Sequence, residues 1–340
     1  MSLTLRATTP EDGPELARFL REAFGMPVEA PAIQPRLMAW KYWDLRSDWT
    51  APRSWVLEKE RVIVAHAGLW PLVFGEGPDA VRGIQMIDWG ASKQAAGAGL
   101  SLVQRFASMF DFIYSIGGSE ATRKVLPMFG FRICGNAWRA ARPLRPLGQI
   151  LTHQERTLRL VPRLFRNWAW SRWPAAIPAP GWNARRVEPE ELVLPATDLC
   201  TPRPRAFFDY LLRCPAAEFS VWQILKAGKP AGFFCLSVLR GQARIAGVWI
   251  PGADPDYWQT AYSLAQQAAL SMEGAFEITA EGMEGTTALA AERAGLRIRN
   301  RVPVFLMNKT GKLFLPDNFQ FQLADDDAAF LDSGSYDYLT

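Results

Sequence analysis

The chain has 340 residues, 49% of them hydrophobic, enough for more than one core, so two domains of ordinary size are expected. Thirty-eight basic against 34 acidic residues leave a net charge of +4, too small a surplus to argue for nucleic-acid binding by itself. Four cysteines (Cys134, Cys200, Cys214, Cys235) with no C-x-x-C pair, only two histidines and no apolar run of bilayer length argue against a zinc site, a disulfide framework or a membrane span, and for a soluble cytoplasmic protein.

In chain order, Leu3 to Ala7 reads as a strand and Thr9-Pro10-Glu11-Asp12 as a helix start with a capping hydroxyl and early acids. A helix follows from Glu15 to Phe24, with Leu16, Phe19, Leu20 and Phe24 on one face. The aromatic patch Trp40, Tyr42 and Trp43 reads as core filling in preference to the lining of a pocket. Strands are expected from Ser54 to Glu58 and from Val62 to Leu69, with His66 as a satisfied core histidine. A further strand runs from Gly83 to Trp89, a helix from Gly97 to Phe110, a strand from Phe112 to Ile116, and a helix from Ser119 to Phe129 before Gly130-Phe131.

The second half repeats this order. FSVWQILKAGKPAGFFCLSVL answers the earlier pair SWVLEKERVIVAHAG, and a strand (Ile245 to Ile250), a helix (Tyr257 to Met272) and a strand (Phe276 to Ala280) follow. Gly295-Leu296-Arg297 then matches Gly130-Phe131-Arg132, so two copies of one fold are expected. Between the copies, Arg139 to Arg186 holds ten arginines, no lysine and one acid, Glu155, for a local charge of +9, together with four tryptophans. Leu164, Phe165 and Trp168 share a helix face there, with arginines around it. Packing between the copies is the first reading, an anionic membrane surface or a phosphate-bearing acceptor the second, and nucleic acid the last, since no binding motif accompanies the charge. His153 in this segment is assigned no role. Asp325, Asp326 and Asp327 read as a solvated acidic tail in preference to a metal site.

The motif that carries chemistry is QAAGAG, from Gln94 to Gly99, where a strand turns into a helix. Glycines let the backbone approach a phosphate closely, and the helix N-terminus adds unpaired N–H groups and its dipole. A dinucleotide fingerprint would want a third glycine where Leu102 stands.

The element order, the opening LRATTPED, the loop QAAGAG and the ending LPMFGFR resemble the GNAT superfamily of acyl-CoA-dependent N-acetyltransferases, in the tandem arrangement with a degenerate second copy. The resemblance implies an α+β (mixed α/β) fold of two tandem domains, each a twisted mixed sheet flanked by helices. The divisions are 1–140 (acyl-CoA domain), 141–184 (basic linker) and 185–340 (second copy with an acidic tail). Gln94, Gly97 and Gly99 satisfy the family's [RQ]-x-x-G-x-[GA] pattern, and the implied cofactor-binding set is Trp89, Gln94, Ala95, Ala96, Gly97, Ala98, Gly99 and Leu100. In the family the strand before the loop and the next one splay apart. The pantetheine arm pairs with the first of them, and a strand N–H, here near Trp89, polarises the thioester carbonyl.

Acetyl-CoA or another acyl-CoA is the implied co-substrate and an amine the acceptor, with no metal. Removing a proton from the amine requires a base. Asp88, an acid inside an apolar strand, is the first candidate, set against a carboxylate that caps the next loop. Glu120 is the second, set against an ordinary first-turn helix acid. Many members carry a tyrosine where this chain has Leu126, so Tyr114 and Ser119 are the candidate substitutes for protonating the thiolate. The second copy has WIPGADPDYWQTAYSL in place of the loop and is expected not to bind CoA. A non-catalytic GNAT-fold binding or scaffold protein and an aminoacyl-tRNA-dependent transferase are the alternatives.

Overall fold

The computed structural model describes residues 3–75, 77–95, 97–152, 160–174, 177–194, 203–313, 315, 319–331 and 338–340. The first half builds strands β1 (Thr4–Ala7), β2 (Ser54–Lys59), β3 (Val62–Phe74), β4 (Val81–Ala91), β5 (Phe112–Ile116) and β6 (Arg132–Pro143). Its helices are α1 (Gly13–Phe24), α2 (Pro35–Met38), α3 (Ala98–Met109) and α4 (Glu120–Val125). Helices α5 (Pro146–Thr152) and α6 (Leu160–Arg172) lead into β7 (Trp182–Val187) and α7 (Arg205–Leu212). The second half continues with β8 (Glu218–Lys226), β9 (Lys229–Leu239), β10 (Gln242–Trp249), α8 (Pro255–Ser271), β11 (Glu277–Met283), α9 (Thr286–Arg293) and β12 (Arg297–Met307).

Local chemistry sets the ends of these elements. Thr9 and Asp12 form a capping box ahead of α1, which buries Leu16, Phe19 and Leu20 and stops at Gly25 with φ +66°. Phe24, expected on the same face, is 42% exposed instead. The helix expected from Ser119 to Phe129 tightens into a 3-10 turn at Leu126–Phe129, where Pro127 removes an N–H.

The fold is mixed α/β, but the strands of the two halves of the chain join one continuous 12-stranded sheet, ordered β1-β2-β3-β4-β5-β12-β6-β11-β10-β9-β8-β7. The final strand of each half lies in the other: β12 pairs antiparallel with β5, and β6 with β11. Side chains cross with the strands. Trp138 and Ala140 of β6 sit in the core around α8 and α9, and Phe305 and Met307 of β12 sit in the core under α3. The boundary expected after residue 140 therefore falls inside β6.

The basic connection packs. Arg142 is buried and donates to the carbonyls of Ala294, Ser171 and Pro174 and to Gln266, while Arg145 donates to the carbonyls of Leu270, Met272 and Ala275 at the end of α8. Carbonyls at a helix end lack internal partners, and a guanidinium supplies several donors at once. His153, Glu155, Arg156, Arg159 and Cys200 lie outside the described residues.

The expectation of a solvated acidic tail is corrected. Asp325 is 1% exposed and paired with the buried Arg203 at 2.7 Å, and Asp326 is 9% exposed, its carboxylate accepting from the Asp327 amide. The partner that makes burial tolerable, Arg203, is far away in sequence.

The exchange of β6 and β12 makes the halves mutually dependent. A 1–145 fragment expressed alone should lack a cooperative unfolding transition by circular dichroism, and co-expression with 146–340 should restore it. Cooperative folding of 1–145 alone would contradict this.

Candidate functional site

The ladder between β4 and β5 is short. Gly83, Ile84 and Gln85 pair in parallel with Phe112, Ile113 and Tyr114, and there it stops, although β4 runs on to Ala91. The two strands part beyond Gln85. On its other edge β4 carries a bulge, where the register against β3 shifts between His66 and Gly68. Asp88 stands in that bulge with φ +47°, a left-handed conformation that Asp adopts more readily than most residues.

Two sets of contacts hold the bulge. The Asp88 carbonyl is 3.0 Å from Nδ1 of His66, so Nδ1 carries the proton, and Nε2 accepts from the Ser54 hydroxyl at 3.0 Å. Ser54 accepts in turn from Thr8, and Thr8 from the Trp43 indole. His66 is thus the satisfied core histidine expected, and burial first of all pushes its pKa down to about 4. The Asp88 carboxylate, 7% exposed, accepts from Lys41 at 2.5 Å and from the Tyr42 hydroxyl at 2.7 Å, and Lys41 is fully buried. Burial alone would raise the Asp88 pKa; the Lys41 ammonium and these two hydrogen bonds outweigh it and hold the carboxyl below the usual range.

Beyond β4, Lys93–Ala95, which includes Gln94, forms a 3-10 turn, Ala96 lies outside the described residues, and Gly97 precedes α3 with φ +88°. No side chain caps this helix and no acid lies in its first turn, so its N-terminal dipole is unopposed. A Cβ at Gly99 would lie 3.3 Å from the Trp89 indole nitrogen, which donates to the Gly99 carbonyl at 2.9 Å. Strand and turn are held at that close approach. Leu100 donates its amide to the Gly97 carbonyl and is already part of the helix.

The matching corner of the second half is closed. There α8 begins with Asp254, whose carboxylate accepts from the Asp256 amide, with Pro255 between them. The β10–β11 ladder also ends early, at Ile245 and Ala280. The C-terminal segment fills the gap: the Gln322 carboxamide accepts from the Val248 N–H at 2.8 Å and donates to the Val248 carbonyl at 2.7 Å, and Gln320 accepts from the Met283 N–H at 2.8 Å.

A cavity of about 700 Å³ opens beside the β4 bulge. The α1–α2 loop, Asp88 and Trp89, Arg139, the β9–β10 turn and the C-terminal segment with Asp327 enclose it. Burial first, then repulsion from Asp326 and Asp88, push the Asp327 carboxyl well above the usual range, opposite to Asp88. Arg139 in the cavity wall is paired with the buried Glu281 at 2.7 Å.

The other expected site residues land elsewhere. Tyr114 is fully buried, stacked on Phe321, and donates its hydroxyl to the Asp325 carbonyl. It anchors the C-terminal segment. Ser119 accepts from the Thr122 amide as the cap of α4, and Glu120, 75% exposed, pairs with Lys124 one turn on. Trp40 is core: it stacks on Tyr210 at 4.6 Å, and the indole and the hydroxyl each bond to the other residue's carbonyl. Sequence reading missed Lys41, whose signal is a lone cation inside an aromatic run, as well as Asp327, Gln320 and Gln322. No group of three or more His, Cys, Asp or Glu side chains among the described residues is placed to hold a metal, and no helix there is long and apolar enough to cross a membrane.

No family model matches the chain, and no curated protein sequence does at a significant level. Its fold is that of solved GNAT structures. A GCN5-related N-acetyltransferase from Anabaena variabilis matches with a TM-score of 0.53 at 13% identity, over 90% of this chain and 73% of that one. N-myristoyltransferase from Saccharomyces cerevisiae, with bound myristoyl-CoA and inhibitors, matches with a TM-score of 0.56 at 11% identity, over 90% and 80%. A tandem GNAT protein from the clavulanic acid biosynthesis pathway matches with a TM-score of 0.53 at 8% identity, over 90% and 98%. At these identities the likeness establishes the fold.

Breaking the buried pair should cost more than removing it. Lys41→Met is expected to lose about 3–5 kcal/mol by urea denaturation, and Lys41→Met with Asp88→Asn to recover part of that. His66 favours folding fully above pH 6.5, where the unfolded imidazole is neutral as well, and this contribution fades as the pH falls toward about 4. Nitrogen NMR should therefore find one imidazole in the Nδ1–H form that does not protonate above pH 5, and titration near 6.5 by both histidines would contradict it.

Proposed function

We propose that the chain is an acyl-CoA-dependent N-acyltransferase, with acetyl as the expected acyl group and a primary amine as the acceptor. In this reading 1–140, its sheet completed by β12, is the working GNAT copy, 141–184 the connection, and 185–340, its sheet completed by β6, a second copy that takes no CoA. The observation that carries it is the amide chemistry of the two parted strand pairs. In the second half the chain lays its own carboxamide, Gln322, on β10 past the register shift between Ile245 and Gly247. In the first half β4 has no β5 partner past Gln85, and a pantetheine amide has the same donor and acceptor to offer.

The residues present fit the group. Gly97 has open space where a Cβ would stand and Gly99 lets the turn close against Trp89, leaving at the start of α3 N–H groups that suit a diphosphate, whereas Asp254 and Asp256 would repel one at α8. The bound thioester supplies the activated acyl group. The cavity beside the bulge takes the acceptor: Asp88, kept ionised by Lys41, attracts its ammonium. That cation offsets the repulsion from Asp326 and Asp88 and favours the ionised form of Asp327, whose own proton leaves to solvent; Asp327, the stronger base of the two lining carboxyls, then takes one proton from the ammonium.

Calorimetry with acetyl-CoA should show one site, weakened at least about tenfold by Gly97→Glu or Gly99→Glu in protein that still melts cooperatively. No heat from folded wild type would favour a non-catalytic GNAT-fold binding protein instead. With an amine acceptor in hand, Asp327→Asn should lower kcat by about 100-fold or more while acetyl-CoA binding is retained, and unchanged turnover would move the base elsewhere.

A further inference from the structure

Helix α6 is apolar on two sides. Leu160 and Trp170 are buried against the domain. Val161, Phe165 and Trp168, at i, i+4 and i+7 on another side, are 49%, 68% and 54% exposed. Past the helix Trp173 and Ile177 are 78% and 71% exposed, and α5, tied to α6 by the bond from Asn167 to Gln149, adds the exposed Leu147 and Leu151. Single exposed hydrophobics are ordinary, but a run of large ones within one short stretch of chain is not.

Cations surround this run. Arg172 lies with its guanidinium 4.2 Å over the Trp168 ring and Arg166 is exposed beside Phe165 in sequence, while Arg297 and Arg299 sit over the ring of Trp170, on the side that faces the domain, at 4.3 and 5.3 Å. Burial first, then the nearby Arg166, Arg297 and Arg163, lower the Arg299 pKa from its usual value. The only acid between Arg139 and Arg186 is Glu155.

We propose that the outward face of α6, with Phe165, Trp168 and Arg172 flanked by Arg166, docks on an anionic lipid bilayer. Phe165 reaches the acyl boundary, Trp168 and the arginines sit at headgroup level, and lipid phosphates take the guanidinium groups. Phe165 and Trp173 offer rings to a base, but Arg172 covers Trp168, and Leu147, Leu151, Val161 and Ile177 are exposed aliphatic side chains that suit an acyl boundary and have nothing to stack on. A second copy of the chain would bring arginine against arginine.

The test is co-sedimentation of the full chain with phosphatidylcholine vesicles with and without about 30% phosphatidylglycerol, a fraction that makes the surface potential strongly negative. Binding is expected only with the anionic lipid and should fall as salt rises. Phe165→Ser with Trp168→Ser, both at exposed positions, should weaken it about tenfold or more, and so should Arg166→Glu with Arg172→Glu. The proposal is overturned if wild type stays in the supernatant at low salt, or if the Phe165 and Trp168 pair of substitutions changes nothing. It is also overturned if that pair abolishes single-stranded RNA binding or self-association while vesicle binding is absent.

Discussion

A backbone amide drawn out of a β-ladder has to find another partner, and that requirement organises both halves of this chain. In each, a parallel pair of strands starts together and then parts: β4 from β5 after Gln85, and β10 from β11 after Ile245. The second half answers with side chains, Gln322 on Val248 and Gln320 on Met283. The exchange of strands makes this answer available. Because β12 ends among the strands of the first half, the chain that follows it runs back across the sheet, where Tyr114 and Trp70 of the first half hold the carbonyls of Asp325 and Ala324.

The same segment carries charge into the interior. Arg203 with Asp325, Arg139 with Glu281, and Lys41 with Asp88 are pairs in which at least one partner is almost fully buried. Such pairs add little net stability but penalise arrangements that separate the partners. Asp88 and Asp327 line one cavity, yet their surroundings push them in opposite directions: Lys41 and Tyr42 hold the first ionised, while Asp326 and Asp88 itself resist ionisation of the second. A position at the meeting of β4, β6, β10 and the C-terminal segment is thereby given two carboxyls of different basicity.

What the sequence made legible was local. Phe112 to Ile116 is the strand its alternation suggests, and the glycine turn sits between strand and helix as its composition implies. Non-local pairing is not written in periodicity. Nothing in a β-pattern says whether β6 borders β5 or β11, and nothing in three consecutive aspartates says that Arg203 lies beneath them. Asp88 stands out as a charge in an apolar strand, but its partner Lys41 lies between Trp40 and Tyr42, in a run whose composition reads as core. Tyr114 is ambiguous on other grounds: a strand tyrosine can face either way, and only the position of Phe321 settles which.

The asymmetry between the halves follows from their helix starts. A helix N-terminus left without a side-chain acceptor keeps unpaired donors and a positive dipole, whereas an aspartate there satisfies one donor and opposes the field. In the second half Asp254 caps α8, Pro255 removes a donor, and glutamines fill the parted strands, so that corner is saturated by the chain itself. In the first half the glycine turn leaves α3 uncapped directly after a strand that has lost its neighbour. An amide arm and an anion are the two chemistries such a corner leaves unmet, one along β4 and one at α3, and the glycine turn sets them side by side.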